Sequence, residues 1–392
     1  MKVALFIDTY YPMLDGVYKV VDNYARRLTR KCEEVTVFCP HYSGWSDEDD
    51  KKMFPYEIIR CSSIPVPNVD YNVPIPILDI PYIAELINRK FDIVHIHSPF
   101  SVGMSGVRYA KFKKIPLIAT LHSQYRQNFE KALSLKPMVD FAMFGTMNAF
   151  NQCDECWAVN EEIRKLFVEE YGLKSPARVQ LNATDHKPVA DSAAAAASVN
   201  EKYGLKADEK VFLFIGRINF IKNIDFIIRA LSILKQKGES FKMLFVGKGQ
   251  DEEKLANLVN KTGLQDDVVL CGQVSEIQEL EKIYSRANLF LFPSLYDANS
   301  LVQIEAACQK TPTVFLEGAR TAGTVTDDIN GFIVSPATED AFAERIIRIL
   351  HEPGYYEKVS EGCFRDLYRN WDDAVNEVYD DYVDIIQKYK DK

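Results

Sequence analysis

The second half of the chain contains a glycine followed by two cations at a spacing suited to holding an anion. The stretch 214–225 begins with an apolar run, continues with Gly216 and Arg217, and places Lys222 five residues after the arginine. A glycine at the end of a strand lets a ligand approach the backbone. An arginine fork and a lysine point charge together suit a diphosphate. Taken alone, the pattern is also typical of a charged surface turn.

A second stretch, 292–305, places two carboxylates eight residues apart around a predicted strand-to-helix turn. Asp297 precedes the helix, and Glu305 lies two turns along it on nearly the same face. Between them, the amides of Asn299, Ser300 and Leu301 would form a helix N-terminus, which can receive a phosphate. Taken alone, such an acid pair is also typical of helix capping or of a solvated helix face.

Short apolar runs that alternate with helical patterns must position these two stretches. The alternation is typical of an α/β protein whose parallel sheets are covered by helices on both faces. In the first half the predicted strands are Val3–Ile7, Val35–Cys39, Ile58–Arg60, Ile93–Ile96, Leu117–Thr120, Trp157–Val159 and Val179–Leu181. In the second half they are Val211–Ile215, Met243–Val246, Val268–Leu270, Leu289–Phe292, Thr313–Leu316 and Phe332–Val334.

Because this scheme occurs twice in 392 residues, the sequence predicts two Rossmann-like domains. We expect the first over 1–190 and the second over 191–370. The apolar stripe within 371–392 predicts a terminal helix, which either caps the second domain or, as we expect, crosses back to the first.

The overall composition excludes several classes of protein. The 47 basic and 56 acidic residues give a net charge of −9, which argues against a nucleic-acid binder. No apolar run approaches the roughly 18 residues of a membrane span, and the first residues read as a strand rather than a signal peptide. We therefore expect a cytoplasmic protein with reduced thiols.

Taken together, and in this order, the two charged stretches resemble motifs of the family 4 glycosyltransferases (glycosyl transferases group 1), which are retaining enzymes of the GT-B fold. The family's G-R-x4-K run matches Gly216, Arg217 and Lys222, and its P-S-x-x-E-x7-E-A run matches Pro293, Ser294, Asp297, Glu305 and Ala306. Weaker matches include Val246-Gly247-Lys248-Gly249, Gly272-Gln273-Val274, Asn330-Gly331-Phe332, Trp371, Tyr11-Pro12 with Gly16-Val17, Val94-His95-Ile96-His97 and Thr120-Leu121-His122-Ser123.

The resemblance implies roles for individual residues. Arg217 and Lys222 would hold the diphosphate of a nucleotide sugar and stabilise its charge as it leaves, and Asp297 would grip hydroxyls of the transferred sugar. His122 would lie at the reacting centre, so the implied catalytic residues are these four. The implied donor-binding residues are Gly16, Gly216, Arg217, Lys222, Gly247, Gln273, Val274, Asn299, Ser300, Leu301 and Glu305, the last on the ribose hydroxyls.

The fold implied by the resemblance is GT-B, with two Rossmann-like domains facing across a cleft and the acceptor side in the first domain. The implied function is retaining transfer of a hexose from a UDP-linked donor to a lipid or glycan acceptor, without a metal or any cofactor besides the donor substrate. The sequence departs from the family's motifs at Asp15, where the family has the first of two glycines, at Asp297, where it usually has Glu, and at Gly323, where many members have an acidic residue. These departures favour the second of two alternatives that stay open. The two alternatives are a sugar-nucleotide epimerase of the same architecture and a nucleotide-sugar-binding protein with lost activity.

A basic, apolar stretch of the first domain raises the question of a membrane. Arg108, Lys111, Lys113 and Lys114 accompany Phe112, and 129–150 is rich in Phe, Met and Leu. Such a surface could dock peripherally on the inner face of an anionic membrane, where a lipid acceptor resides. The alternative is a helix packed in the core, with lysines at its end.

Two other charged or metal-ligating clusters have simpler interpretations. We expect His95 and His97 to face opposite sides of their strand, so that they cannot chelate one metal, and we predict no metal site. The charge run 47–52 is expected to be a solvated loop.

Overall fold

The computed structural model describes residues 1–13, 15–66 and 71–391. The chain forms two compact units: unit 1 comprises Met1–Asn182 and Trp371–Lys392, and unit 2 comprises Ala183–Asn370. The division therefore falls after Asn182, whereas the sequence pattern placed it after residue 190. The intervening segment lies on unit 2, because the amides of Lys187 and Val189 donate to Glu281 and Gln309.

Unit 1 is built on a seven-stranded parallel sheet with strand order β3-β2-β1-β6-β7-β8-β9. The strands are β1 (Lys2–Phe6), β2 (Glu34–Pro40), β3 (Glu57–Cys61), β6 (Ile93–Ile96), β7 (Leu117–Leu121), β8 (Glu155–Ala158) and β9 (Ala177–Val179); β4 (Ser63–Pro65) and β5 (Asn72–Pro74) form a separate antiparallel pair. The helices are α1 (Gly16–Leu28), α2 (Asp47–Met53), α3 (Ile80–Asn88), α4 (Ser101–Lys113), α5 (Tyr125–Ala132), α6 (Lys136–Phe150) and α7 (Glu161–Lys165).

Unit 2 is built on a six-stranded parallel sheet with strand order β12-β11-β10-β13-β14-β15. The strands are β10 (Val211–Ile215), β11 (Lys242–Val246), β12 (Val268–Gly272), β13 (Leu289–Leu291), β14 (Thr313–Leu316) and β15 (Phe332–Val334). The helices are α8 (Ser192–Tyr203), α9 (Ile224–Gln236), α10 (Glu252–Lys261), α11 (Ile277–Arg286), α12 (Leu301–Cys308), α13 (Glu339–His351) and α14 (Tyr355–Leu367).

The central strands are almost entirely buried and mostly apolar because helices cover both faces of each sheet. Every residue of β10 is buried, and the strand lies between β11 and β13 in parallel register, with Leu213 opposite Leu244 and Phe290. Parallel strands end at one edge of the sheet, so the loops after β10, β11, β12 and β13 gather at the carboxyl edge of unit 2.

The last helix, α15 (Trp371–Lys390), packs on unit 1. Its Trp371 lies edge-on to Tyr24 of α1, and Tyr382 stacks on Trp157 of β8 with ring centroids 5.7 Å apart. Asp381 pairs with Arg178 at 2.5 Å. These contacts make the terminal helix part of the unit that the chain left at Asn182.

The charge run 47–52 is a helix, not the solvated loop that its composition predicts. Ser46 and Asp49 form a capping box at the start of α2. Asp50 is buried, where it accepts hydrogen bonds from Trp45 and from the guanidinium of Arg60. The expectation was wrong for Asp50 because its partners, Trp45 and Arg60, lie outside the charge run itself.

No helix within the described residues combines the length and the apolar character that crossing a lipid bilayer requires.

Candidate functional site

The Gly216 turn at the end of β10 interlocks with the loop after β11. The amide of Ile218 donates to the carbonyl of Lys248 at 3.0 Å. A Cβ atom on Gly247 would lie 2.0 Å from the Gly216 carbonyl oxygen, and one on Gly249 would lie 2.1 Å from that of Ile218. Both distances are far below any van der Waals contact. The glycines at 247 and 249 therefore permit backbone-to-backbone packing of two loops at the carboxyl edge.

The short helical turn Phe220–Lys222 carries the predicted lysine and is braced from two sides. Asn219 begins the turn and accepts a hydrogen bond from the amide of Ile221. The Asp251 carboxylate accepts from the amide of Phe220 at 2.9 Å. Lys254 beside it, together with that amide, lowers the pKa of Asp251. Asp251 was not identified from the sequence, although an acid just beyond the Gly247 loop and before a helical pattern was a usable signal.

The two charged stretches meet at Lys222 and Asp297. The Nζ atom of Lys222 donates to Oδ1 of Asp297 at 2.6 Å, and Ser294 donates to Oδ2 at 2.5 Å. The lysine and aspartate side chains are 18% and 20% exposed, so the pair is largely covered but still reachable. Lys222 also lies over the ring of Phe292. The structure thus brings the predicted anion-binding lysine to the predicted sugar-binding carboxylate.

Arg217, unlike Lys222, has no ion pair with another described residue. It follows Gly216 directly and is exposed, and no hydrogen bond or ion pair joins it to any other described residue. The guanidinium is therefore available to an anion without first breaking an internal ion pair.

Glu305 is buried on α12 beside Tyr284. The Tyr284 hydroxyl donates to Oε2 of Glu305 at 2.9 Å, and Nε2 of His186 lies 3.8 Å from the same oxygen. Burial, and secondarily the glutamate, raises the pKa of Tyr284 well above its usual value. Tyr284 and His186 hold the carboxylate in place, and neither was identified from the sequence.

The remaining predicted donor-site residues of unit 2 lie on loops at the same edge or, for Leu301, at the start of α12. Ser300 precedes α12 without capping it through its side chain, and Asn299 comes immediately before it. The first amides of α12, including that of Leu301, therefore face the carboxyl edge without a serine cap. Gln273 is exposed just after β12, and Val274 packs against the apolar core.

Gly16 belongs to unit 1, where it is the first residue of α1. A Cβ atom there would meet no other atom within 4 Å, so packing within unit 1 does not require a glycine. Asp15 precedes it and caps the helix by accepting from the amide of Tyr18 at 2.7 Å. The acid that departs from the family's double glycine therefore has a local structural role.

His122 follows β7 and belongs to a group of histidines. Its Nε2 lies 3.0 Å from Nδ1 of His97, and burial lowers its pKa to about 3. The rings of His95 and His97 stack with centroids 4.0 Å apart. The expectation that these two face opposite sides was wrong, because residues two apart on a strand share one face. Within the described residues, no three His, Cys, Asp or Glu side chains group as metal ligands would.

Comparison with family models gives a match for each part of the chain. Residues 14–187 match the model described as Glycosyltransferase Family 4, and residues 197–363 match Glycosyl transferases group 1. Together the two matches span most of both units.

Two relatives illustrate the range of similar sequences. An alpha-monoglucosyldiacylglycerol synthase from Streptococcus pneumoniae is 24% identical over 328 residues, which cover 80% of this chain and 70% of that protein. A D-inositol 3-phosphate glycosyltransferase from Xylanimonas cellulosilytica is 27% identical over 312 residues, covering 76% and 73%.

Solved structures with a similar fold align over almost the whole chain. Sucrose-phosphate synthase from Thermosynechococcus elongatus aligns with a TM-score of 0.80 and 19% identity, covering 99% of each chain. The Anabaena protein HepE, in complex with UDP and glucose, aligns with a TM-score of 0.75 and 14% identity, covering 97% of this chain and 99% of that one.

Proposed function

The chain belongs to the family 4 glycosyltransferases and has the GT-B fold, and from this we propose that it is a retaining, metal-independent hexosyltransferase that uses a UDP-sugar. As acceptor we propose a lipid, presented at a membrane surface. Transferase activity follows from the family, whereas the donor, the stereochemistry and the acceptor are the proposal.

The observation that carries the proposal is the contact between Lys222 and Asp297. A lysine suited to a phosphate and a carboxylate suited to sugar hydroxyls are held 2.6 Å apart at the carboxyl edge of one sheet. A sugar diphosphate has these two chemistries on adjacent groups. A bound donor would place its phosphates toward Lys222 and Arg217 and its hydroxyls toward Asp297.

Metal independence is proposed because cationic groups of the protein can meet the charge of the leaving diphosphate. Arg217 has no competing partner among the described residues, Lys222 is held in place by Asp297, and the uncapped end of α12 adds amide donors. Preorganised donors of this kind stabilise a leaving oxyanion without a divalent ion.

Retention is what the resemblance to the family implies, and it requires either a covalent intermediate on a protein nucleophile or attack from the side of the leaving group. The first route is disfavoured because Asp297 is poorly placed to act as a nucleophile. Its two carboxylate oxygens are already bonded to Lys222 and Ser294. We propose attack from the side of the leaving group instead. The bond between the anomeric carbon and the diphosphate oxygen breaks, with its electron pair going to the diphosphate. The acceptor oxygen bonds to that carbon on the same face, and its proton passes to the diphosphate.

The UDP and lipid assignments draw on relatives. HepE has been solved with UDP, and two similar sequences are named for monoglucosyldiacylglycerol, which is a lipid. A relative that acts on D-inositol 3-phosphate shows that a soluble acceptor is the competing choice.

The membrane proposal rests on the outer faces of α4 and α6. Met138, Phe141 and Phe144 project from α6, and the two phenylalanines are 77% and 70% exposed. On α4, Phe112 is 70% exposed, and exposed basic side chains accompany it at Arg108 and Lys111 and, just after the helix, at Lys114. The outer face of α6 is exposed, so this helix is not packed wholly in the core as the alternative interpretation expected. Apolar side chains combined with cations are what an anionic lipid surface attracts.

A donor panel tests the chemical proposal. The protein is incubated with UDP-glucose, UDP-galactose, UDP-N-acetylglucosamine and GDP-mannose, with EDTA and with a diacylglycerol acceptor in vesicles. We expect transfer from one UDP-sugar with its anomeric configuration kept, as read by NMR of the product. An isomerised donor, an inverted product or binding without turnover would each contradict it.

Vesicle pelleting tests the membrane proposal separately. We expect the wild type to pellet with anionic vesicles and the Phe141→Ser/Phe144→Ser variant to stay in solution. Reversal of Lys111 and Lys114 to Glu should also reduce pelleting, whereas reversal of the exposed Lys388 and Lys390 on α15 should not. Equal pelleting of all variants would exclude this surface.

A further inference from the structure

The hydrogen bond between His97 and His122 involves only one proton. Nδ1 of His97 faces Nε2 of His122 at 3.0 Å, and the rings stack with centroids 5.3 Å apart. Burial lowers the pKa of both rings, so both are neutral near pH 7. A neutral imidazole has one N–H and one bare nitrogen. Either His97 donates to His122 or the reverse, and the direction decides which nitrogen of His122 carries its proton.

The second nitrogen of His97 indicates the direction. Nε2 of His97 is buried and has no hydrogen-bond partner among residues 1–13, 15–66 and 71–391. If His122 were the donor, His97 would carry its own proton on this nitrogen, as a buried N–H without an acceptor. Orphaned N–H groups are rarer in folded proteins than unused acceptors. If His97 is the donor, its Nε2 is only an unused lone pair.

We propose that His97 is a positioning residue: its Nδ1–H donates to Nε2 of His122 and thereby fixes the His122 proton on Nδ1. His122 is partly exposed, so that Nδ1–H is a hydrogen-bond donor for an oxygen atom of the acceptor. Nδ1 then cannot accept the proton of an attacking hydroxyl. The assignment of a ligand to this N–H rests on the proposed transferase function, in which the diphosphate takes the proton of the attacking hydroxyl. The assignment of the tautomer itself does not depend on that function.

His95 supports the orientation of the His97 ring. Its Nδ1 lies 2.7 Å from the Tyr382 hydroxyl and its Nε2 lies 2.7 Å from the Thr120 hydroxyl. Hydroxyls both donate and accept, so they hold the His95 ring in place without dictating its tautomer. The fixed ring stacks on His97 and keeps Nδ1 of His97 pointed at His122.

Long-range ¹H–¹⁵N NMR of the full chain labelled at histidine reads the tautomers directly. The six histidines give separate ring patterns, and His122→Gln identifies the His122 signals by their loss. We expect wild-type His122 to be protonated at Nδ1. His97→Phe keeps a stacking ring but removes the donor, and it should shift His122 toward the Nε2–H tautomer. Tyr382→Phe removes one hydroxyl from the same cluster and should leave His122 unchanged.

Protonation at Nε2 in the wild type would overturn the proposal, as would an unchanged tautomer in His97→Phe. If that variant fails to fold, the wild-type spectrum still decides. In the transfer assay, His97→Phe should lower kcat about tenfold, the size of one lost hydrogen bond, with little change in donor KM. A wild type that transfers no sugar would contradict the proposed function and leave the tautomer result standing.

Discussion

At the scale of single residues, the two cations of the donor motif differ in what they already bind. Lys222 is ion-paired with Asp297, whereas Arg217 is exposed without a described partner. Removing Lys222 therefore leaves a largely covered carboxylate without its counter-ion, but removing Arg217 disturbs no internal contact. The two substitutions should therefore differ in their effect on the stability of the protein but have similar effects on its affinity for the ligand.

We expect Arg217→Ala and Lys222→Ala each to weaken UDP binding by about 1–3 kcal/mol, as the loss of a charged hydrogen bond should. Only Lys222→Ala should also lower the thermal stability of unit 2. Calorimetric titration with UDP and a melting curve measure the two effects. The control is Lys237→Ala, which removes an exposed ion pair with Glu344 in the same unit. Unchanged UDP affinity in both variants would remove their assigned role.

Sequence motifs identified the charged residues but not what holds them. Gly216, Arg217, Lys222 and Asp297 could be picked out because charge at a strand end is visible in one stretch of sequence. Asp251 was overlooked: an acid before a helical pattern marked the position, but its role depends on a hydrogen bond to an amide 31 residues earlier. The sequence indicates which side chains could bind the ligand. The contacts that hold those side chains in place form only when the folded chain brings distant segments together.

At the scale of elements, the loop after β11 is constrained more tightly than any side chain of the site. Gly247 has a φ of +136°, and its Cα faces the Gly216 carbonyl. An added methyl group would force apart the two loops that position Arg217.

We expect Gly247→Ala to abolish measurable UDP binding and to lower the stability of unit 2. Gly238→Ala is the matched control, because Gly238 also has a positive φ, +91°, but open space around it. That control should cost only the backbone strain, about 1–2 kcal/mol, and should bind UDP normally. UDP titrations and urea unfolding of both variants make the comparison. Equal effects would show that backbone strain, not loop contact, governs this position.

The histidines at the ends of β6 and β7 should make unit 1 sensitive to acid. Burial lowers the pKa of His95 and His97 well below the usual value, and that of His122 to about 3. Between that value and the unfolded pKa of about 6.5, the unfolded chain binds more protons than the folded one. Stability is therefore full above about pH 6.5 and is lost as the pH falls.

Each such histidine should remove up to about 1.4 kcal/mol of unfolding free energy per pH unit in this window. Urea unfolding of unit 1 at about pH 7.5, 6.5 and 5.5 measures the slope. His97→Phe should flatten it, whereas replacement of the exposed His351 by Gln should not. A slope that is the same in wild type and His97→Phe would contradict the assignment.

The sequence predicted the strands that are buried along their whole length. It did not predict short strands or single buried residues. Both sheets consist of strands that the apolar runs located to within a few residues, because a strand covered on both faces must be apolar along its length. The short pair β4 and β5 has no such pattern and was missed. The buried Asp50 was also missed, because the charged segment around it is typical of a surface and its burial is favourable only with the hydrogen bonds from Trp45 and Arg60.

At the scale of the whole molecule, the chain leaves unit 1, forms unit 2 and returns. The returning helix α15 is a structural part of unit 1, since Tyr382 is fully buried between the rings of His95 and Trp157. The stability of unit 1 thus depends on the last residues of the sequence, whereas we expect that of unit 2 not to.

We expect Tyr382→Ala to lower the unfolding free energy of unit 1 by about 3–5 kcal/mol, the usual cost of removing a buried aromatic ring, and to leave unit 2 unchanged. Val383→Ala is the control, because Val383 is the next residue on the same helix and is 44% exposed. Tryptophan fluorescence follows unit 1 during urea unfolding, because Trp45, Trp157 and Trp371 all lie in it. UDP titration at low urea follows unit 2. Loss of UDP affinity in Tyr382→Ala would show that the two units do not fold independently.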